Sequence, residues 1–227
     1  MERRTVTPYS EEIEGLILPA PLAGHPALDF CNTFAGWDGV ESGDYLRTYE
    51  HLAVFAAGAG LIDEGAIARL RRRARRTPSE AAAVLDRSRA LRRSLYAVLT
   101  RPSSDRNRER VAADARAATA ALVLDWRDGR VAWSFPDRLG LALPRLAVAL
   151  SAAALLTSAS PGSVRACPGR GCGWLFLDRP GRRRWCTMAV CGNRAKVQRF
   201  SQRRRALGKE GDRRADPVPP IGSMLDA

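Results

Sequence analysis

The sequence predicts a mainly α fold: a helical N-terminal domain with one β-hairpin, then a small cysteine-rich module built from a β-hairpin and a helix. Three observations carry this. Between residues 48 and 158, apolar residues recur at helical spacing between capping signals. One segment, 121–135, switches to dense β-formers. Four of the five cysteines fall within residues 167–191. The expected division is 1–160 for the helical domain, 161–208 for the module and 209–227 for a flexible tail.

Residues 16–37, LILPAPLAGHPALDFCNTFAGW, are broken by proline and glycine and read as a loop-rich entry with short extended pieces. Thr48 can cap a helix to about Ala59, with Gly60 at its end. Asp63 can cap a second helix to about Arg76. The clearest start is 77-TPSE-80, with Thr77 at the cap, Pro78 at the first helical position and Glu80 at the capping-box position. That helix turns Val84, Leu85, Leu91, Leu95, Val98 and Leu99 to the core and stops before Pro102. Ser104 or Asp105 opens another, to about Ala120.

In 121-ALVLDWRDGRVAWSF-135, Asp128-Gly129 marks a tight turn between two strands, across which Trp126 and Trp133 can pair. A last helix covers about 143–158, and Ser160-Pro161-Gly162 links it to the module. The apolar stretch 139–156 is about as long as a bilayer span. It carries Pro144 and Arg145, so it reads as a buried helix, and no membrane partner is expected. The N-terminus has no apolar run after its basic residues and does not read as a signal peptide. A cytoplasmic location is the expectation.

The formal charge is +13. Between Arg165 and Arg214 there are 15 Arg or Lys against Asp178, Glu210 and Asp212, a net of +12. A bias toward arginine across the chain would not remove the acids from this one segment. The concentrated field points to a polyanion, nucleic acid first.

Cys167, Cys172, Cys186 and Cys191 have the pattern C-x4-C-x13-C-x4-C. Two short pairs separated by a loop can form two knuckles around one tetrahedral zinc ion, with four thiolates leaving no open position for catalysis. The module has few apolar residues, so metal binding would supply the missing stability. Disulfides and an iron–sulfur cluster are the alternatives; zinc is the expectation.

Between the knuckles, 174-WLFLDRPGRRRWC-186 reads as strand, turn at Pro180-Gly181 and strand. Gly192 and Asn193 then open a helix to about Leu207. Val197, Phe200 and Leu207 share one face, expected to pack on the hairpin, and Lys196, Arg199 and Arg203 form a neighbouring stripe. With Arg182, Arg183, Arg184, Arg194 and Arg204, these are the candidate nucleic-acid contacts. DNA is the expected partner, with RNA or an acidic protein as the alternative.

The string 186-CTMAVCGNRAK-196, with the preceding cysteine pair, resembles the CGNR zinc finger. The upstream 26-PALDFCNTF-34 resembles the A-L-D-F-x-N-T signature of the ABATE domain, which precedes that finger in many bacterial proteins. The resemblance covers nearly the whole chain. It implies zinc on the four cysteines and a stress-induced transcription regulator whose finger binds DNA. Within the finger signature, Gly192 can turn the backbone after a ligand and Asn193 can cap the helix. Arg194 can contact phosphate or brace back to Asp178.

In 25-HPALDFCNT-33, Asp29 and Asn32 can either line a ligand pocket, making the domain a sensor, or satisfy backbone groups where the loop enters a helix. The second reading is preferred. Cys31 reads as a buried small apolar residue. No phosphate loop, histidine-based metal triad or serine-nucleophile motif is present, and an enzyme is not expected.

Overall fold

The computed structural model describes residues 1–213 apart from 38, 40–42, 101, 128, 161 and 179, and the backbone alone of 127, 130 and 205–213. Asp128 of the expected turn, Pro161 of the linker, the Leu207 side chain and residues 214–227 of the expected tail therefore lie outside the described residues.

The fold is mainly α, as predicted. It opens with a meander that the sequence reading does not anticipate: β1 (Arg3–Thr7), β2 (Ser10–Ile13) and β3 (Leu16–Pro19), antiparallel in that order. Glu14 (φ 53°) and Gly15 (φ 77°) make the two-residue turn between β2 and β3. Consecutive left-handed residues there match the strand twist. Ile13 and Leu18 enter the core while the outward positions stay polar or half-exposed.

Helix α1 (Pro26–Cys31) is short, and all but its first residue are buried. His25 caps it, its Nδ1 accepting from the Ala27 amide at 3.2 Å, and Pro26 occupies the first helical position. A two-residue pair follows, β4 (Phe34–Ala35) with β5 (Gly43–Asp44). The helices α2 (Tyr49–Gly58), α3 (Ala66–Arg76), α4 (Pro78–Thr100) and α5 (Asp105–Ala120) lie within a few residues of their expected limits.

The capping chemistry differs from the expectation in detail. Asp63 accepts from the Gly65 amide at 2.7 Å, one turn ahead of α3. Thr77 donates its hydroxyl back to the Arg73 carbonyl at 3.1 Å instead of capping α4.

The hairpin β6 (Val123–Arg127) and β7 (Arg130–Ser134) forms where predicted. Its register sets Trp126 opposite Val131 and Trp133 opposite Leu124. The two tryptophans are thus diagonal neighbours on one face, and that face is exposed, with Trp126 at 68% and Trp133 at 67%. A 3₁₀ segment, Asp137–Ala142, leads into α6 (Leu143–Ser158). The span is long and apolar enough to cross a membrane, yet α6 packs against α1, α2, α4 and α5. Leu143, Leu146, Val148, Ala149, Ala152 and Leu155 are buried there. Helix α6 is therefore the central core element.

The C-terminal module begins with β8 (Val164–Ala166), paired antiparallel with β9 (Leu175–Leu177). This corrects the expected hairpin: β9 pairs with a strand before the first knuckle, and 182–186 is not a strand. The loop after β9 is instead tied to Asp178. Its Oδ1 accepts from the Arg182 amide at 3.0 Å and its Oδ2 from the Arg183 amide at 3.1 Å, which turns those amides inward and away from strand pairing. A π-helical turn, Met188–Gly192, runs directly into α7 (Asn193–Arg213).

Candidate metal centre and nucleic-acid interface

The first knuckle hangs from β8 and β9. The Cys167 amide donates to the Trp174 carbonyl at 2.8 Å, and the Cys172 amide to the Gly169 carbonyl at 3.0 Å. Gly171 (φ 73°) and Gly173 (φ 66°) adopt left-handed conformations that side-chain-bearing residues resist. A Cβ on Gly169 would lie 3.0 Å from the Cys191 sulfur, so glycine there leaves room for the thiolate.

The second knuckle is the start of the terminal helix. Thr187 caps it, its Oγ1 accepting from the Ala189 amide at 3.2 Å. This displaces two expected roles. Asn193 lies inside the continuous helix, so it is not the N-cap. Gly192 is helical, so it makes no turn; its missing Cβ instead leaves space for Met188 and Trp185.

The four sulfurs lie within 4.8 Å of one another. Cys172 and Cys186 are 3.7 Å apart, and Cys186 and Cys191 3.6 Å. A tetrahedron of thiolates with bonds of about 2.3 Å to zinc has sulfur–sulfur edges of about 3.8 Å. A disulfide needs about 2.05 Å. All four are free thiols, three of them buried and Cys172 half-buried. The donor set fits a four-coordinate ion and leaves no protein-free position in its shell.

The N-terminal signature docks this module. Asn32 Nδ2 donates to the Leu175 carbonyl at 2.9 Å, and Asn32 Oδ1 accepts from the Leu175 amide at 2.8 Å. Around this pair, the Leu177 amide donates to the Ala23 carbonyl at 2.8 Å and the Trp174 indole to the Phe34 carbonyl at 3.0 Å. The Tyr96 hydroxyl donates to the Gly173 carbonyl at 2.8 Å, with Trp37 stacked on the Tyr96 ring at 3.8 Å. Leu175 itself belongs to the main core. The two modules therefore share one interior.

A family model described as "Putative stress-induced transcription regulator" (ABATE) matches residues 24–159, and the CGNR zinc finger model matches 163–204. The chain belongs to the ABATE family. A comparison with curated protein sequences returns no match.

Within this ABATE chain, Asn32 spends both ends of its carboxamide on the finger. Asp29 Oδ1 accepts from the Ala23 amide at 2.9 Å, and the side chain borders a cavity of about 280 Å³ with His25 and Glu11. Burial pushes the Asp29 carboxyl up to about 7, against the lowering effect of the Ala23 and Leu22 amides. Burial likewise raises the Cys31 thiol above its usual range and keeps it protonated. Thr33 accepts from Arg92 at 2.7 Å, and Arg92 pairs with Asp44 at 2.6 Å.

The arginines divide into two groups. Arg183 is a brace: it donates to the carbonyls of Leu22 (2.7 Å), Trp185 (3.2 Å) and Cys186, and stacks over Phe176 at 4.7 Å. It ties the second knuckle to the ABATE loop and commits its Nε and Nη2 to carbonyls. Arg194 does not reach Asp178, whose partner is Arg165 at 3.3 Å; it donates to the Arg170 carbonyl at 3.3 Å. Arg182, Arg184, Lys196, Arg199, Arg203 and Arg204 are exposed.

Helix α7 departs furthest from expectation. Val197 and Phe200 are 58% and 63% exposed, so its apolar face does not pack on the hairpin. The hairpin has no face to offer: Leu175 points into the main core and Phe176 into the cysteine cluster. The residues that sequence reasoning missed, Trp37, Tyr96 and Trp174, sit in glycine-rich loops or on a helix flank. For Trp37 and Trp174 the available signal was an aromatic ring among loop glycines; for Tyr96 it was a hydroxyl on the buried face of α4, which needs a partner.

Proposed function

We propose that this chain is a DNA-binding transcription regulator that acts by binding and not by catalysis, in the cytoplasm. One structural zinc ion on Cys167, Cys172, Cys186 and Cys191 would supply rigidity to the finger. The observation that carries the reading is the set Arg182, Arg184, Lys196, Arg199, Arg203 and Arg204. All six are exposed, and none pairs with a carboxylate among the described residues. Helix α7, about 30 Å long at 1.5 Å per residue, presents Lys196, Arg199 and Arg203 along one stripe next to the metal-braced knuckle. Unpaired guanidinium groups on such a helix favour phosphate oxygens, and the release of counterions drives the association. The family description supports the same reading.

A second reading is an adaptor that docks an acidic protein. The exposure of Val197 and Phe200 beside the basic stripe favours it.

The test is affinity for a mixed-sequence duplex across a salt series. Wild type is compared with an Arg199→Ala, Arg203→Ala variant, both at full zinc content. The expected result is a log–log slope of about −0.9 per neutralised phosphate, shallower in the variant by about two phosphates. No binding at low salt with zinc in place would sink the DNA reading and leave the adaptor.

A further inference from the structure

Beside the metal centre lies a cavity of about 320 Å³ built by both modules. The ABATE part contributes Tyr9, from the β1–β2 turn, and Tyr45, which follows β5; the finger contributes Trp174, Arg194 and three of the four cysteines, Cys172, Cys186 and Cys191. Tyr9 and Trp174 meet edge to face with centroids 6.2 Å apart, and Tyr45 lies tilted to Trp174 at 6.4 Å. A metal ion inside the sulfur tetrahedron would take up only the end of this space that those cysteines bound. Among the lining residues, Arg194 is the one cationic side chain. Its bond to the Arg170 carbonyl holds it at the exposed rim.

We propose that this cavity is a binding site for a small planar aromatic acid. The ring class follows from the three aromatic side chains in the walls, Tyr9, Tyr45 and Trp174. The acid follows from Arg194, whose planar fork matches a carboxylate. Orientation follows from charge. Four thiolates around a divalent ion carry a formal charge of 2−, so an acid group is repelled from the sulfur side and held at the rim. A ligand seated there touches both modules, which couples its binding to the docking of the finger. The site is distinct from the proposed DNA stripe, and its occupancy can be measured without nucleic acid.

The experiment is calorimetric titration of the zinc-loaded full chain with three near-isosteric probes: phenylacetate, phenylacetamide and phenethylamine. Saturable binding of phenylacetate, about tenfold tighter than the amide, is expected. Arg194→Gln should remove that preference at unchanged zinc content, and Tyr45→Ala should weaken every probe. Trp126→Ser, on the exposed hairpin, should change nothing. The acid-to-amide ratio of the wild type is informative even if a variant misfolds. Equal binding of acid and amide, tighter binding of the amine, loss of binding in Trp126→Ser, or no saturation by phenylacetate at millimolar concentration would each overturn the proposal.

Discussion

Asn32 holds Leu175 by both of its backbone groups, with hydrogen bonds of 2.9 and 2.8 Å across 143 residues of chain. The carboxamide is 1% exposed and replaces the strand that β9 would otherwise need on that edge. Part of the ABATE signature thus exists to seat the finger.

Asn32→Ala leaves a buried N–H and C=O without partners, at a cost of about 2–4 kcal/mol. Asn32→Asp is expected to be worse, because a carboxylate cannot donate to the Leu175 carbonyl. Urea denaturation gives the magnitude. Amide exchange at Leu175 should rise in the alanine variant before exchange in α6 does; simultaneous loss would mean that the modules do not separate.

Cys186→Ser should bring bound zinc, about one ion per chain at full occupancy, close to zero. Chelation of the wild type should have the same effect. Both treatments should unprotect residues 163–192 while α4 and α6 keep their helical signal, since those helices are packed without help from the cysteines. Elemental analysis and hydrogen exchange check this, and an unchanged melt with full metal would refute it.

Neighbouring arginines should behave oppositely. Arg183→Ala removes bonds to three carbonyls and should cost about 2–3 kcal/mol of stability. Arg184→Ala removes an exposed group stacked near Trp185 and should be nearly neutral for folding. For DNA the order reverses, with Arg184→Ala reducing the salt slope by about one phosphate's worth. Thermal melts and duplex titrations on the two variants decide it.

Asp29 sets a pH dependence. Its folded carboxyl is raised from 3.8 to about 7 by burial. Between these values the unfolded chain releases a proton that the folded chain keeps, so this group's contribution falls as pH rises and levels off above about 7. Asn at this position still accepts from the Ala23 amide without the buried charge. The stability of Asp29→Asn relative to wild type should therefore grow from about pH 4 to about pH 8, by at most about 4 kcal/mol. A pH-independent difference in denaturation midpoint would show that burial does not raise the Asp29 carboxyl above its unfolded value.

The helices were legible because their signals are local. Thr48 with Gly60, Pro78, Ser104 and the apolar run of α6 each bias the chain within a few residues, and the structure keeps those limits. The cysteine spacing was legible for the same reason, since two knuckles are short-range geometry. The N-terminal meander was not. Its strands are four or five residues long, and their turn rests on Glu14 in a left-handed conformation that composition does not announce.

By itself, the sequence determined the fold class, the four-cysteine donor set and the concentration of positive charge in the last quarter. Tertiary structure decided which polar groups remain available. Arg183 and Arg184 are adjacent and chemically identical, yet one is spent on Leu22, 161 residues away, while the other meets solvent. The sequence favoured a structural role for Asn32 but could not name its partner, which β9 supplies from 143 residues away. Hydrogen-bonding capacity belongs to the residue, but its use depends on what long-range packing places within about 3 Å.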